Sequence, residues 1–138
     1  MPISAFCRKE KIYVQQHCER IALERNAYTI ILGDSIANCL SRYDSSWSPL
    51  VTKYNAANYG IGGDRVEHSL YRAENGNFPQ NVQHLCLILG TNNLKTRNSA
   101  AEIVDGLIDT TETFKRRFPA CKVVVVGILP RAVPTDPL

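Results

Sequence analysis

The chain has 138 residues, 44% of them hydrophobic and 21% charged, with a formal net charge of +3. That length fits one domain over residues 1–138 with little core to spare, and the composition excludes a disordered or fibrous chain. No window of about 18 consecutive apolar residues exists, so no transmembrane segment is expected; no basic cluster is interleaved with base-stacking aromatics, so nucleic acid is not an expected partner.

The opening, MPISAFCRKEKIYVQQHCER, turns polar and charged within seven residues, unlike the apolar stretch of a secretory signal, and an intracellular, cytoplasmic chain is expected. A helix over about residues 8–25 carries a weak apolar stripe of Val14, Cys18 and Ile21. Cys7, Cys18, Cys39, Cys86 and Cys121 are odd in number and lack C-x-x-C spacing, so buried free thiols are expected rather than disulfides or a zinc site. No cofactor and no metal are called for.

Apolar runs at 29–32, 56–61, 85–89 and 122–129 are too short for helices and are bounded by Gly, Pro or Asn, the pattern of strands buried on both faces. Between them the period becomes helical. Ile36, Cys39, Leu40 and Tyr43 share one face, as do Ile103, Leu107, Thr111, Phe114 and Phe118. Asp64 with Glu67 and Ser99 with Glu102 read as capping boxes, Asn75-Gly76 as a helix stop, and Pro119 as the end of the last helix. Alternation of this kind predicts an α/β fold with a parallel sheet between helical layers, in which ligands collect at the carboxyl ends of the strands.

Those ends are Gly33-Asp34-Ser35, Gly60-Ile61-Gly62-Gly63-Asp64, Gly90-Thr91-Asn92-Asn93 and Gly127-Ile128-Leu129-Pro130-Arg131. Ser35 opens a helix, where a nucleophile would find backbone N–H groups for its oxyanion; a helix cap is the competing reading. Gly62-Gly63 permits close backbone approach, and Asn92 offers an amide donor, though both residue types are common in plain turns.

Taken in order, GDSI, NYGIGGDRVEHSLYR, LILGTNN and VVGILPR resemble the SGNH (GDSL-type) hydrolases. Within that superfamily the chain is most similar to the branch holding the catalytic subunits of intracellular platelet-activating-factor acetylhydrolase, and to esterase domains of animal non-LTR retroelements. The resemblance implies a flavodoxin-like three-layer α/β/α fold and hydrolysis of small acyl esters or lipid-like substrates. Ser35 would be the nucleophile, with an oxyanion hole from the N–H groups of Ser35 and Gly63 and the side-chain amide of Asn92; Asp34 would be structural.

The same resemblance implies a catalytic Asp and His in a D-x-x-H motif beyond the LPR loop. These 138 residues contain no such motif, and Asp136 has no His three positions on. His68 is read as a packing or surface residue, His84 precedes the third strand at the end away from the chemistry, and His17 lies on the weakly patterned first helix, so none is read as the base. The family's fifth strand and last helix are missing too, so the fold is expected to be C-terminally truncated, with an open fourth strand that promotes homodimerisation or element swapping, or marks a piece of a longer product. A carboxylic ester hydrolase is therefore expected by family. The alternative is an inactive hydrolase-like module for binding or assembly, or a retroelement domain.

Overall fold

The computed structural model describes residues 9–130. Cys7, Asp136 and the segment after Pro130 lie outside the described residues.

The chain runs through α1 (Lys9–Glu24), β1 (Thr29–Gly33), α2 (Ser35–Leu40), α3 (Asp44–Tyr54), β2 (Ala56–Gly60), α4 (Val66–Asn75), β3 (His84–Ile88), α5 (Thr91–Lys95), α6 (Ala100–Arg117) and β4 (Lys122–Val125). The four strands form one parallel sheet in the order β2-β1-β3-β4, with Gly33 level with both Gly60 and Ile88. This is the flavodoxin-like order for four strands, and its switch point falls between β1 and β3. Ser35 follows one of these strands and Asn92 the other.

Helices cover both faces. On one, Cys18 and Ala22 of α1, Val66 and Ala73 of α4, and Ile103 and Phe114 of α6 pack against Ile30, Leu32, Tyr59, Leu85 and Leu87. On the other, Ala37 and Leu40 of α2 and Trp47 and Leu50 of α3 pack against Ile31, Ala56, Cys86 and Ile88. No helix of the described residues is long and apolar enough to cross a membrane. Cys18 and Cys121 are buried free thiols, as expected, while Cys39 and Cys86 are only half-buried.

Three expectations need correction. First, the periodic stripe through Tyr43 is not one helix: α2 stops at Leu40, and Tyr43 becomes the N-cap of α3, which the serines and Pro49 of its sequence concealed. Second, α4 starts one residue late, with Arg65 as N-cap, because the Asp64 carboxylate turns inward to Lys11 and Arg72 instead of capping. Third, β4 ends at Val125 rather than 129 and is not buried on both faces. In the row Ile31-Cys86-Val124, α2 and α3 cover Ile31, but Val124 is 61% exposed because no described helix reaches it. The Ser99–Glu102 capping box and the helix end before Pro119 stand as expected.

Candidate active site

The turn after β1 settles which residue caps α2. Asp34 is the N-cap, its Oδ1 accepting the Ile36 N–H at 2.8 Å, and Ser35 is the exposed first residue of the helix. Burial pushes the Asp34 carboxyl above the usual carboxylate range, against the opposing pull of the Ile36 and Ala37 N–H groups. A six-residue helix cannot hold itself in place, and α2 is tied down by two asparagines. Asn38 Nδ2 donates to the Gly60 carbonyl at 3.1 Å, and Asn58 Nδ2 donates to the Ala37 carbonyl at 2.7 Å. Asn58, a polar residue in a strand, also accepts the Gly60 N–H at 2.8 Å.

The turn after β2 carries Gly63 at φ +79°, a conformation that favours glycine. Asp64, next in the chain, is buried, with Lys11 Nζ 2.8 Å from Oδ1 and Arg72 Nη2 3.0 Å from Oδ2. The turn after β3 begins at Gly90, φ +117°, and enters α5. Here Asn92 Nδ2 donates to the main-chain oxygen of Asp64 at 2.8 Å, so the turns after β2 and β3 are joined side chain to backbone. Asn93, buried beside it, does something else: its Oδ1 accepts the Val66 N–H at 3.0 Å and its Nδ2 donates to Glu67, closing the first turn of α4.

Three turns from adjacent strands thus carry Ser35, Gly63 and Asn92 at one end of the sheet. Among the described residues, the N–H groups of Ser35 and Gly63 make no hydrogen bond, and Asn92 uses one amide hydrogen of two on Asp64. Beside the Ser35 turn lies an apolar hollow of about 200 Å³, lined by Asp34, Ile36, Leu40, Ile88, Val126 and Ile128. A larger groove of about 1060 Å³ runs over α4 between α1 and α6 and takes in none of the three residues. Among the described residues, no group of three His, Cys, Asp or Glu side chains could hold a metal ion.

Sequence reading passed over Lys11, Gln15 and Arg72. Beside the buried Cys18 and Ala22, α1 carries a polar row: Lys11 reaches Asp64, Gln15 accepts from Arg72 at 3.1 Å, and Glu19 accepts the Asn77 N–H at 3.0 Å. Apolar periodicity cannot register such a row; three polar residues spaced four apart were the available signal.

The histidines are engaged elsewhere. His84 Nδ1 lies 3.1 Å from Thr29 Oγ1 at the opposite end of the strands, and His17 faces Arg20 on α1. His68 Nδ1 accepts the Arg65 N–H at 2.9 Å, which requires the neutral ring, and burial pushes its pKa below the usual 6.5 although Asp64 is 4.0 Å away. The folded state therefore disfavours a proton that the unfolded state accepts, so stability is fully present above about pH 6.5 and declines as pH falls toward the depressed folded value. Urea midpoints between pH 7.5 and 5.5 should fall more steeply for the unmodified protein than for His68→Asn; parallel slopes would remove His68 as the cause.

Comparison with known proteins gives a consistent result. The model of the GDSL-like lipase/acylhydrolase family matches residues 31–138. Human platelet-activating factor acetylhydrolase IB subunit alpha2 is 33% identical over 111 residues, 79% of this chain and 47% of that protein. The human alpha1 subunit is 30% identical over 116 residues, covering 83% and 49%. The chain therefore spans about half the length of these curated relatives. A Streptococcus pneumonia structure described as a candidate platelet activating factor superposes with a TM-score of 0.69 at 20% identity, covering 93% of this chain and 59% of that one. A GDSL-like lipase from Bacteroides thetaiotaomicron superposes at 0.63 and 14% identity, covering 83% and 56%. Identities this low speak for the fold alone.

Proposed function

Because the chain belongs to the GDSL-like lipase/acylhydrolase family, we propose that it carries the nucleophile and oxyanion-binding half of a serine esterase site for small acyl esters. Ser35 Oγ attacks the ester carbonyl carbon, and the carbonyl oxygen takes the negative charge. The N–H groups of Ser35 and Gly63 and the free amide hydrogen of Asn92 receive that charge. Collapse of the intermediate breaks the bond to the alcohol, which leaves with a proton, and water then hydrolyses the acyl-serine. The apolar hollow beside Asp34 and Ile36 suits a short acyl chain.

The observation that carries this reading is the Asn92–Asp64 hydrogen bond, which holds a side-chain amide against the turn that presents Gly63. A base is the missing component. The rings of His17, His68 and His84 are engaged with Arg20, Arg65 and Thr29, away from the Ser35 turn, so none of them serves as that base. Loss of a triad member costs several orders of magnitude of rate, so the chain by itself should turn over a short-chain chromogenic ester very slowly.

The same absence favours a second reading, a family member that binds or assembles without catalysis. A fluorophosphonate separates the two. Phosphonylation that disappears in Ser35→Ala supports the esterase site; equal background labelling of both proteins supports the inert module.

Self-association belongs to the proposal as well. Among the described residues β4 is an edge strand with Val124 and Val125 exposed, and apolar unpaired edges recruit further strands. Light scattering should give a dimer that Val124→Lys weakens; a monodisperse monomer at high concentration would rule the edge contact out.

A further inference from the structure

We propose that Arg72, acting through Asp64, is the positioning residue of the oxyanion hole, an inference that rests on the esterase reading above. Arg72 projects from α4 and is only 6% exposed. Its guanidinium reaches the chain just before two of the three site turns. Nη2 donates to the Gly33 carbonyl at 3.1 Å, two residues before Ser35, and Nη1 donates to the Tyr59 carbonyl at the end of β2. The same Nη2 lies 3.0 Å from Asp64 Oδ2, immediately after Gly63. Asp64 then passes the constraint on, since its main-chain oxygen holds the Asn92 amide.

One planar cation therefore sets the spacing of the turns bearing Ser35 and Gly63, and through Asp64 that of the turn bearing Asn92. The Gly33 carbonyl also accepts the Ile61 N–H at 2.9 Å, so the ends of β1 and β2 are bonded to each other as well as to Arg72. A fork of donors fixes angles as well as distances, which an ammonium cannot do. Lys11 on Oδ1 leaves Asp64 with a charge partner when Arg72 is altered, so the fold has a second support for the carboxylate while the geometry loses its template.

Arg72→Lys and Asp64→Asn test this; Arg72→Ala is avoided because it empties a buried position and strips the Gly33 and Tyr59 carbonyls of their donor. Each variant is first checked for a cooperative melt, and the second serves if the first does not fold. The readout is phosphonylation by a fluorophosphonate, in which a bond forms from Ser35 Oγ to phosphorus, the phosphorus–fluorine bond breaks, fluoride leaves and the hydroxyl proton passes to solvent. Positioning predicts a fall of about tenfold or more in the maximal labelling rate, with the concentration for half-maximal rate within about twofold. A folded variant that labels at the unmodified rate overturns the proposal.

Should the unmodified chain not label at Ser35, the esterase reading fails and the positioning claim is decided by hydrogen exchange. The Asn92 side-chain amide and the Ile61 N–H should then exchange at least about tenfold faster in Arg72→Lys, with β1 and β3 unchanged. Equal exchange in both proteins overturns it.

Discussion

Replacing Asn92 by alanine is expected to slow phosphonylation of Ser35 about 100- to 1,000-fold, the range for loss of one oxyanion donor. Two things disappear with the amide: the hydrogen available to the developing oxyanion, and the 2.8 Å bond to the Asp64 carbonyl that fixes where it is offered. Asn92 is half-buried, so its removal should disturb the fold far less than the chemistry. Asn92→Asp sharpens the test, because it keeps the size and presents only acceptors beside a carbonyl oxygen. Stopped labelling time courses for both variants are the measurement, and a rate within threefold of the unmodified chain would remove Asn92 from the site.

The second large effect is on stability. Gly60→Ala is expected to cost about 1–3 kcal/mol or more, as overpacking does when backbone has to move. A Cβ there would lie 2.7 Å from Asn38 Cα and 2.8 Å from the Ala37 carbonyl carbon, and would also strike the Asn38 nitrogen; all are backbone atoms of α2 that cannot rotate away. The helix displaced is the one that begins at Ser35, held by Asn38 and Asn58 against this same glycine, so labelling should fall together with stability. Two residues on, a Cβ at Gly62 meets nothing within 4 Å, and Gly62→Ala should stay within about 0.5 kcal/mol. Urea denaturation of the pair decides it. Equal midpoints would mean that α2 does not sit against Gly60 as described.

The parts legible in the sequence were those governed by local pattern. Four β-rich runs gave four strands because a buried parallel sheet leaves continuous apolar stretches, and α6 was visible from its stripe and the Ser99–Glu102 box. Ser35, Gly63 and Asn92, on which the proposed site rests, were singled out because each follows the end of its own strand within four residues. What stayed hidden is long-range. Asp64 looked like a cap because Glu67 follows at the right spacing, yet its carboxylate is claimed by Lys11, 53 residues earlier, and by Arg72 from the same helix it was expected to cap. Arg72 itself was passed over, since nothing nearby in the sequence announces bonds to Gly33 and Tyr59. The end of β4 failed for a related reason: a run of valines reads as buried, but burial requires a neighbour that the described residues do not supply.

The central claim, that Ser35 occupies a built nucleophile site lacking its proton acceptor, is tested most directly by mass spectrometry of the chain after exposure to a fluorophosphonate. The expected result is a single adduct, mapped to the peptide holding Ser35, formed slowly and faster at higher pH, where solvent takes the hydroxyl proton more readily. No adduct, or adducts spread over Ser41, Ser45, Ser46 and Ser48 as heavily as on Ser35, would contradict it.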